Sequence, residues 1–154
     1  MAGEVFIDTN VLVYAAEGTD ALRAPQAQFV LERLRASGRG VVYQQVLSEF
    51  ARVVTERIAM PLSADAAVRW VRGIADSFRV LEVSPMVVSE AVYLKERYQL
   101  SYWDAQVVAA ARLNLVGVVL TEDLADGAEY EGVRVIDPFA AGFDLDRLLE
   151  QETR

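Results

Sequence analysis

The residues equipped for chemistry are few. The 154-residue sequence contains no histidine and no cysteine. That excludes Ser-His and Cys-His nucleophilic catalysis, disulfides, thiolate metal sites and the common zinc ligands. Its single lysine, Lys95, falls inside a predicted helix, which excludes a phosphate loop of the kind that needs a lysine after its glycines. Carboxylates, hydroxyls, amides and arginines remain, with a hard cation as their natural partner. Four acids stand out by position: Asp8, Glu49, Asp104 and Asp123.

Asp8 ends the run Val5-Phe6-Ile7, and Asp123 follows Gly117-Val118-Val119-Leu120 by way of Thr121-Glu122. Both runs read as short buried strands. Acids just beyond them lie at the carboxyl edge of a sheet, where open α/β sheets bind ligands. The structural alternative is that Asp8 or Thr9 only caps the next helix. Glu49 falls within about 60° of Val46 and about 40° of Val53 on a helical wheel, on the shoulder of an apolar stripe. Asp104 opens an apolar face continued by Val107, Val108, Ala111 and Leu115. An unpaired carboxylate there must protonate or recruit a cation, although Ser101-x-x-Asp104 also fits a capping box.

If the four acids converge, their repulsion requires a hard divalent ion, because no lysine or histidine is at hand. Magnesium or manganese takes carboxylate and water oxygens. Such clusters cleave phosphodiesters by activating a water and stabilising the departing oxygen. The residue chemistry therefore suggests a metal-dependent phosphodiesterase.

The elements that must position these acids alternate. A helix is expected after Asp8, opening with Val11-Leu12-Val13-Tyr14. Another is expected from about Pro25 to Ser37 with Phe29, Val30 and Leu34 inward. Val41-Val42-Tyr43 is a second strand, and Gln45 to about Ile58 a helix striped by Val46, Phe50, Val53 and Val54. Ser63 caps a helix carrying Val68, Trp70, Val71 and Ile74. Val80 to Val83 is a third strand. Ser84-Pro85 starts a helix to about Arg97, with Val88, Ala91 and Val92 inward. Ser101 to Asp104 opens a further helix, and Gly117 to Leu120 and Gly132 to Ile136 are the last strands. A short acidic helix from Asp144 closes the chain. This alternation predicts an α/β fold, a three-layer α/β/α sandwich around a small parallel sheet of four to five strands. No linker or repeat divides it, so residues 1–154 form a single domain of ordinary size. Trp103 and Trp70 are assigned to packing, with base stacking as the alternative use of Trp103 and Tyr102.

With 53% hydrophobic and 25% charged residues, the composition is that of a soluble globular protein. No run reaches the roughly 18–20 apolar residues of a membrane span, and the start MAGEVFID lacks a basic leader, so no membrane association and a cytoplasmic location are expected. The net charge of −8 argues against a non-specific nucleic-acid coat. It suits a protein that docks a basic partner segment.

VFIDTN, SEF at Ser48 to Phe50, YWDA at Tyr102 to Ala105, and LTEDL at Leu120 to Leu124 together resemble the PIN-domain ribonucleases in order and spacing. GVRVIDPF, from Gly132 to Phe139, resembles the end of a subgroup of VapC-type toxins from bacterial toxin–antitoxin pairs. The resemblance covers essentially the whole chain. It implies a magnesium-dependent endoribonuclease (manganese substituting), usually a homodimer, silenced by a small antitoxin. Carried onto this sequence, Asp8, Glu49, Asp104 and Asp123 are the metal-binding acids, with Asp123 preferred to its neighbour Glu122. Thr9, Asn10 and Thr121 are their polar support. Arg52 and Arg57 are candidates for guiding the RNA backbone.

The alternatives are a housekeeping RNA or DNA nuclease of the same fold and a non-catalytic PIN-like binding module. A flap nuclease would carry added DNA-binding segments. A receiver domain would need a lysine after a late strand, and a haloacid-dehalogenase-type phosphatase a second aspartate where Asn10 stands.

Overall fold

Val5, Phe6 and Ile7 form the first strand, β1 (Val5–Ile7), and all three are fully buried, as a strand covered on both faces requires. The computed structural model describes residues 3–153. After β1 come helices α1 (Thr9–Glu17) and α2 (Arg23–Ser37), β2 (Gly40–Tyr43), α3 (Gln44–Glu56), α4 (Ala64–Ser77) and β3 (Arg79–Leu81). Then follow α5 (Pro85–Tyr98), α6 (Tyr102–Leu113), β4 (Val118–Leu120), β5 (Glu129–Tyr130), β6 (Val133–Ile136) and α7 (Leu145–Gln151).

The strands order as β3-β2-β1-β4-β6-β5. β1 pairs in parallel with β2 on one side and β4 on the other, Ile7 lying opposite Leu120. The chain thus steps outward from β1 to β2 and β3, then returns across the sheet to β4. Right-handed crossovers place α1 to α4 on one face and α5 with α6 on the opposite face, giving the three layers. The switch of direction falls between β1 and β4, and their carboxyl ends flank the crevice where such sheets bind ligands.

The sheet has six strands, one more than the four to five expected from sequence. The added strand is β5, two residues paired antiparallel to β6. Too short to show an alternating pattern, it forms because the turn before Gly132 folds Glu129-Tyr130 back onto Val133-Arg134.

Helix starts follow their capping residues. Ser63, Ser84 and Ser101 each accept a backbone N–H from the first turn of α4, α5 and α6, satisfying donors that the helix leaves free. The inward faces of two helices differ from expectation. In α5, Val87, Ala91 and Leu94 are buried, while Val88 and Val92 are exposed. In α2, Phe29 is exposed and Val30 and Leu34 are buried. Gly40 opens β2 where the Phe78 ring passes so close that a Cβ would lie 2.5 Å from it. Among the described residues no helix is long and apolar enough to cross a membrane.

Candidate active site

Asp8 sits where β1 gives way to α1. Its backbone is extended, its N–H bonds the Leu120 carbonyl of β4 at 3.1 Å, and its carboxylate caps the helix by accepting from Thr9 N–H at 2.7 Å. The capping role and a place in a site are therefore combined in one residue. Just beyond β4, buried Thr121 accepts through Oγ1 from the Asn10 side-chain amide (2.9 Å) and from Asp123 N–H (3.1 Å). With both lone pairs engaged, its hydroxyl proton is left to Asp8. The Asn10 amide also donates to Asp123 at 3.2 Å. Asn10 and Thr121 thus tie the end of β1 to the end of β4.

Asp104 lies in the first turn of α6, where Ser101 Oγ takes its N–H and gives its own hydroxyl proton to the carboxylate at 2.7 Å. Glu49 comes from α3 and pairs with Arg52 at 3.0 Å. Asp8, Glu49, Asp104 and Asp123 all line one cavity of about 600 Å³, together with Thr9, Asn10, Arg52 and Arg57. Thr121 is fully buried and does not line the cavity, but it bonds Asn10 and Asp123, which do.

The electrostatics match that crowding. Burial pushes the Asp8 carboxyl up to about 6; bonds from Thr121 and Thr9 partly offset this, and repulsion from Asp123 and Asp104 adds to it. Asp123 is likewise raised, first by burial, with Asn10 opposing and Asp104 and Glu122 contributing. Glu122 is turned away. It accepts from the Tyr14 hydroxyl at 2.5 Å and from Arg23 Nε at 3.0 Å, and the Arg23 guanidinium lies over the rings of Tyr14 and Phe139. Of the two adjacent acids, Asp123 is the one that faces the cavity.

The donor set suits a hard cation. Asp8, Asp104 and Asp123 repel one another, and the Asn10 Oδ1 atom is buried with no partner. All of these are oxygen donors of the kind that magnesium or manganese takes. Among the described residues no group of three or more acids is already arranged to enclose an ion.

Two residues behave differently from expectation. Trp103, assigned to packing, is 57% exposed at the cavity wall. Gln106, buried beside it, was not singled out; two residues past Asp104, it reads as an ordinary helical position. Trp70 packs as expected, its ring 6.3 Å from that of Phe50.

A family model described as PIN domain matches residues 5–125. No curated protein matches the sequence. Among solved structures, the fold is similar to a toxin–antitoxin complex from Klebsiella pneumoniae, with 20% identity, 88% of this chain and 98% of that chain covered, and a TM-score of 0.67. It is similar to VapC20 of Mycobacterium tuberculosis, described as a sarcin–ricin loop cleaving toxin, at 22% identity, 75% and 87% coverage and a TM-score of 0.60. VapBC2 of Rickettsia felis, bound to a DNA fragment from its promoter, matches at 13% identity, 85% and 96% coverage and a TM-score of 0.62.

Proposed function

The chain belongs to the PIN-domain family, and from that premise we propose that it is a metal-dependent endoribonuclease, the toxin of a toxin–antitoxin pair. The observation that carries the reading is the meeting of Asp8, Glu49, Asp104 and Asp123 in one cavity at the switch point of the sheet. The toxin–antitoxin neighbours from three bacteria support the second half of the proposal.

Asp8 and Asp104 would hold the main ion, with Glu49 and Asp123 completing its surroundings directly or through water. Magnesium, or manganese in its place, would supply polarisation of the scissile phosphodiester and a lower pKa for the attacking water. Asn10 and Thr121 keep Asp8 and Asp123 at a fixed separation. Arg52, paired with Glu49, and Arg57 line the same cavity, where they would guide the phosphates of an incoming strand. Attack by water, without use of the 2′-hydroxyl, leaves a 5′-phosphate and a 3′-hydroxyl. The acidic surface, net −8, suits a small antitoxin with a basic segment. A homodimer in the cytoplasm is the working form we propose.

The test is cleavage of RNA by the purified protein with magnesium or manganese. Cutting should vanish with EDTA and with Asp8→Asn. Expression should be toxic, and Asp104→Asn should relieve the toxicity. Cutting that survives both EDTA and Asp8→Asn overturns the assigned site. A wild type that cuts no RNA replaces the nuclease by a binding module, and cutting without toxicity replaces the toxin by a housekeeping nuclease.

A further inference from the structure

The cavity has a second wall that the acids do not use. Trp103 adjoins Asp104 on α6 and lines the same cavity, yet more than half of it is exposed. Tyr102 meets its ring edge to face, with centroids 5.2 Å apart and planes at 72°. Two more residues that line the same cavity, Gln106 and Tyr43, are 5% and 0% exposed, and each carries a buried polar atom with no partner, Gln106 Oε1 and the Tyr43 hydroxyl. Orphaned buried polar groups are costly and uncommon in native folds, so these need a partner when the cavity is filled. Val53 and Val107 add apolar surface to the same cavity.

We propose that this wall is a nucleobase subsite. Trp103 stacks on the base of the nucleotide whose phosphate meets the acids, and the Gln106 amide bonds the edge of that base. The inference rests on the ribonuclease reading above and deepens it. An indole, an amide and a buried hydroxyl carry no formal charge, and the flat apolar face of the indole is a surface that neither a phosphate nor a hydrated metal ion uses. They do suit a base, whose face stacks on an aromatic ring and whose edge offers both donors and acceptors. A glutamine amide carries both.

Because Trp103 and Asp104 are consecutive residues of one rigid helix, the distance from base to phosphate is set by the fold. A cavity of about 600 Å³ has room for a single nucleotide. A base stacked within a duplex cannot offer its face to an indole, so the subsite takes an unstacked nucleotide from a single strand or a loop.

The experiment measures initial rates on a mixed-sequence single-stranded oligoribonucleotide with magnesium, for the wild type, Trp103→Ala, Trp103→Phe and Gln106→Leu. Sedimentation and thermal unfolding are recorded on each. Trp103→Ala should raise KM on the order of tenfold or more, with kcat changing less and the unfolding temperature unmoved. Trp103→Phe should recover most of the loss, and Gln106→Leu should change which base is preferred beside the cut. In an Asp8→Asn background, the same oligonucleotide should quench Trp103 fluorescence, and Trp103→Phe should abolish the quench, leaving only Trp70.

Trp103→Ala with an unchanged KM overturns the subsite while leaving the nuclease intact. If that variant instead alters only the sedimentation state, Trp103 covers a second copy of the chain and the subsite is overturned. A wild type that binds and quenches without cutting keeps the subsite and removes the nuclease. Neither cutting nor quenching removes both.

Discussion

Replacing Asp8 by Asn should abolish activity and make the stability of the metal-free protein, relative to wild type, rise with pH. Burial and the neighbouring acids raise the Asp8 carboxyl from 3.8 to about 6. The native state therefore holds the proton more tightly than the unfolded chain. Asp8's stabilising contribution is fully present below about pH 4 and is lost as pH rises through 6. Displacement by this amount corresponds to a loss of about 3 kcal/mol at pH 7.5 and about 1 kcal/mol at pH 4.5.

Asparagine can still accept the Thr9 N–H but cannot ionise. Whatever its amide costs in that buried position is the same at both pH values and cancels in the comparison. The stability of Asp8→Asn relative to wild type should therefore grow by about 2 kcal/mol from pH 4.5 to pH 7.5, roughly 4–8 °C in unfolding temperature for a domain of this size. Thermal unfolding by circular dichroism, in EDTA at both pH values, reads it directly. Added magnesium should then raise the wild type at pH 7.5 and leave the variant where it was. A difference that stays constant across this range would falsify the claim that Asp8 is held against its charge.

Three other substitutions test further parts of the structure. Asp123→Asn should reduce cleavage far more than Glu122→Gln does, because Asp123 lines the cavity whereas Glu122, bonded to Tyr14 and Arg23, does not; equal losses in a rate assay would count against that division. Gly40→Ala should destabilise by about 1–3 kcal/mol in denaturant titration, since its Cβ would meet the Phe78 ring at 2.5 Å in a packed interior.

Much of the frame was legible because local chemistry agrees with the global fold. Ser63, Ser84 and Ser101 announce helix starts through their hydroxyls, and Val5-Phe6-Ile7 announces a strand buried on both faces. The acids after β1 and β4 meet because parallel strands end at the same edge. Less was legible where a segment is apolar on more than one side. Helix α5 has valines around its circumference, so periodicity leaves its phase open, and packing against α6 turns Val87, Ala91 and Leu94 inward. Trp103 looks like core by hydrophobicity. Yet in α6 the interior positions go to Ala105, Gln106, Val108, Ala109, Ala110 and Ala111, while the indole stays at the surface.

The amino-acid sequence by itself determined the alternation of strands and helices, the edge of the sheet at which the acids gather, and the absence of any histidine, cysteine or nearby lysine to offset them. These follow from residue type and from periods of a few residues, which act locally. Only the tertiary structure decided that Asp123 rather than Glu122 turns into the cavity, that Trp103 stands open beside Asp104, and that Gln106 and Tyr43 end unpartnered within it. Each of those outcomes depends on groups that come from distant segments, such as Arg23 and Tyr14 around Glu122. Which side chain wins a shared space is settled only when all the competitors are packed together.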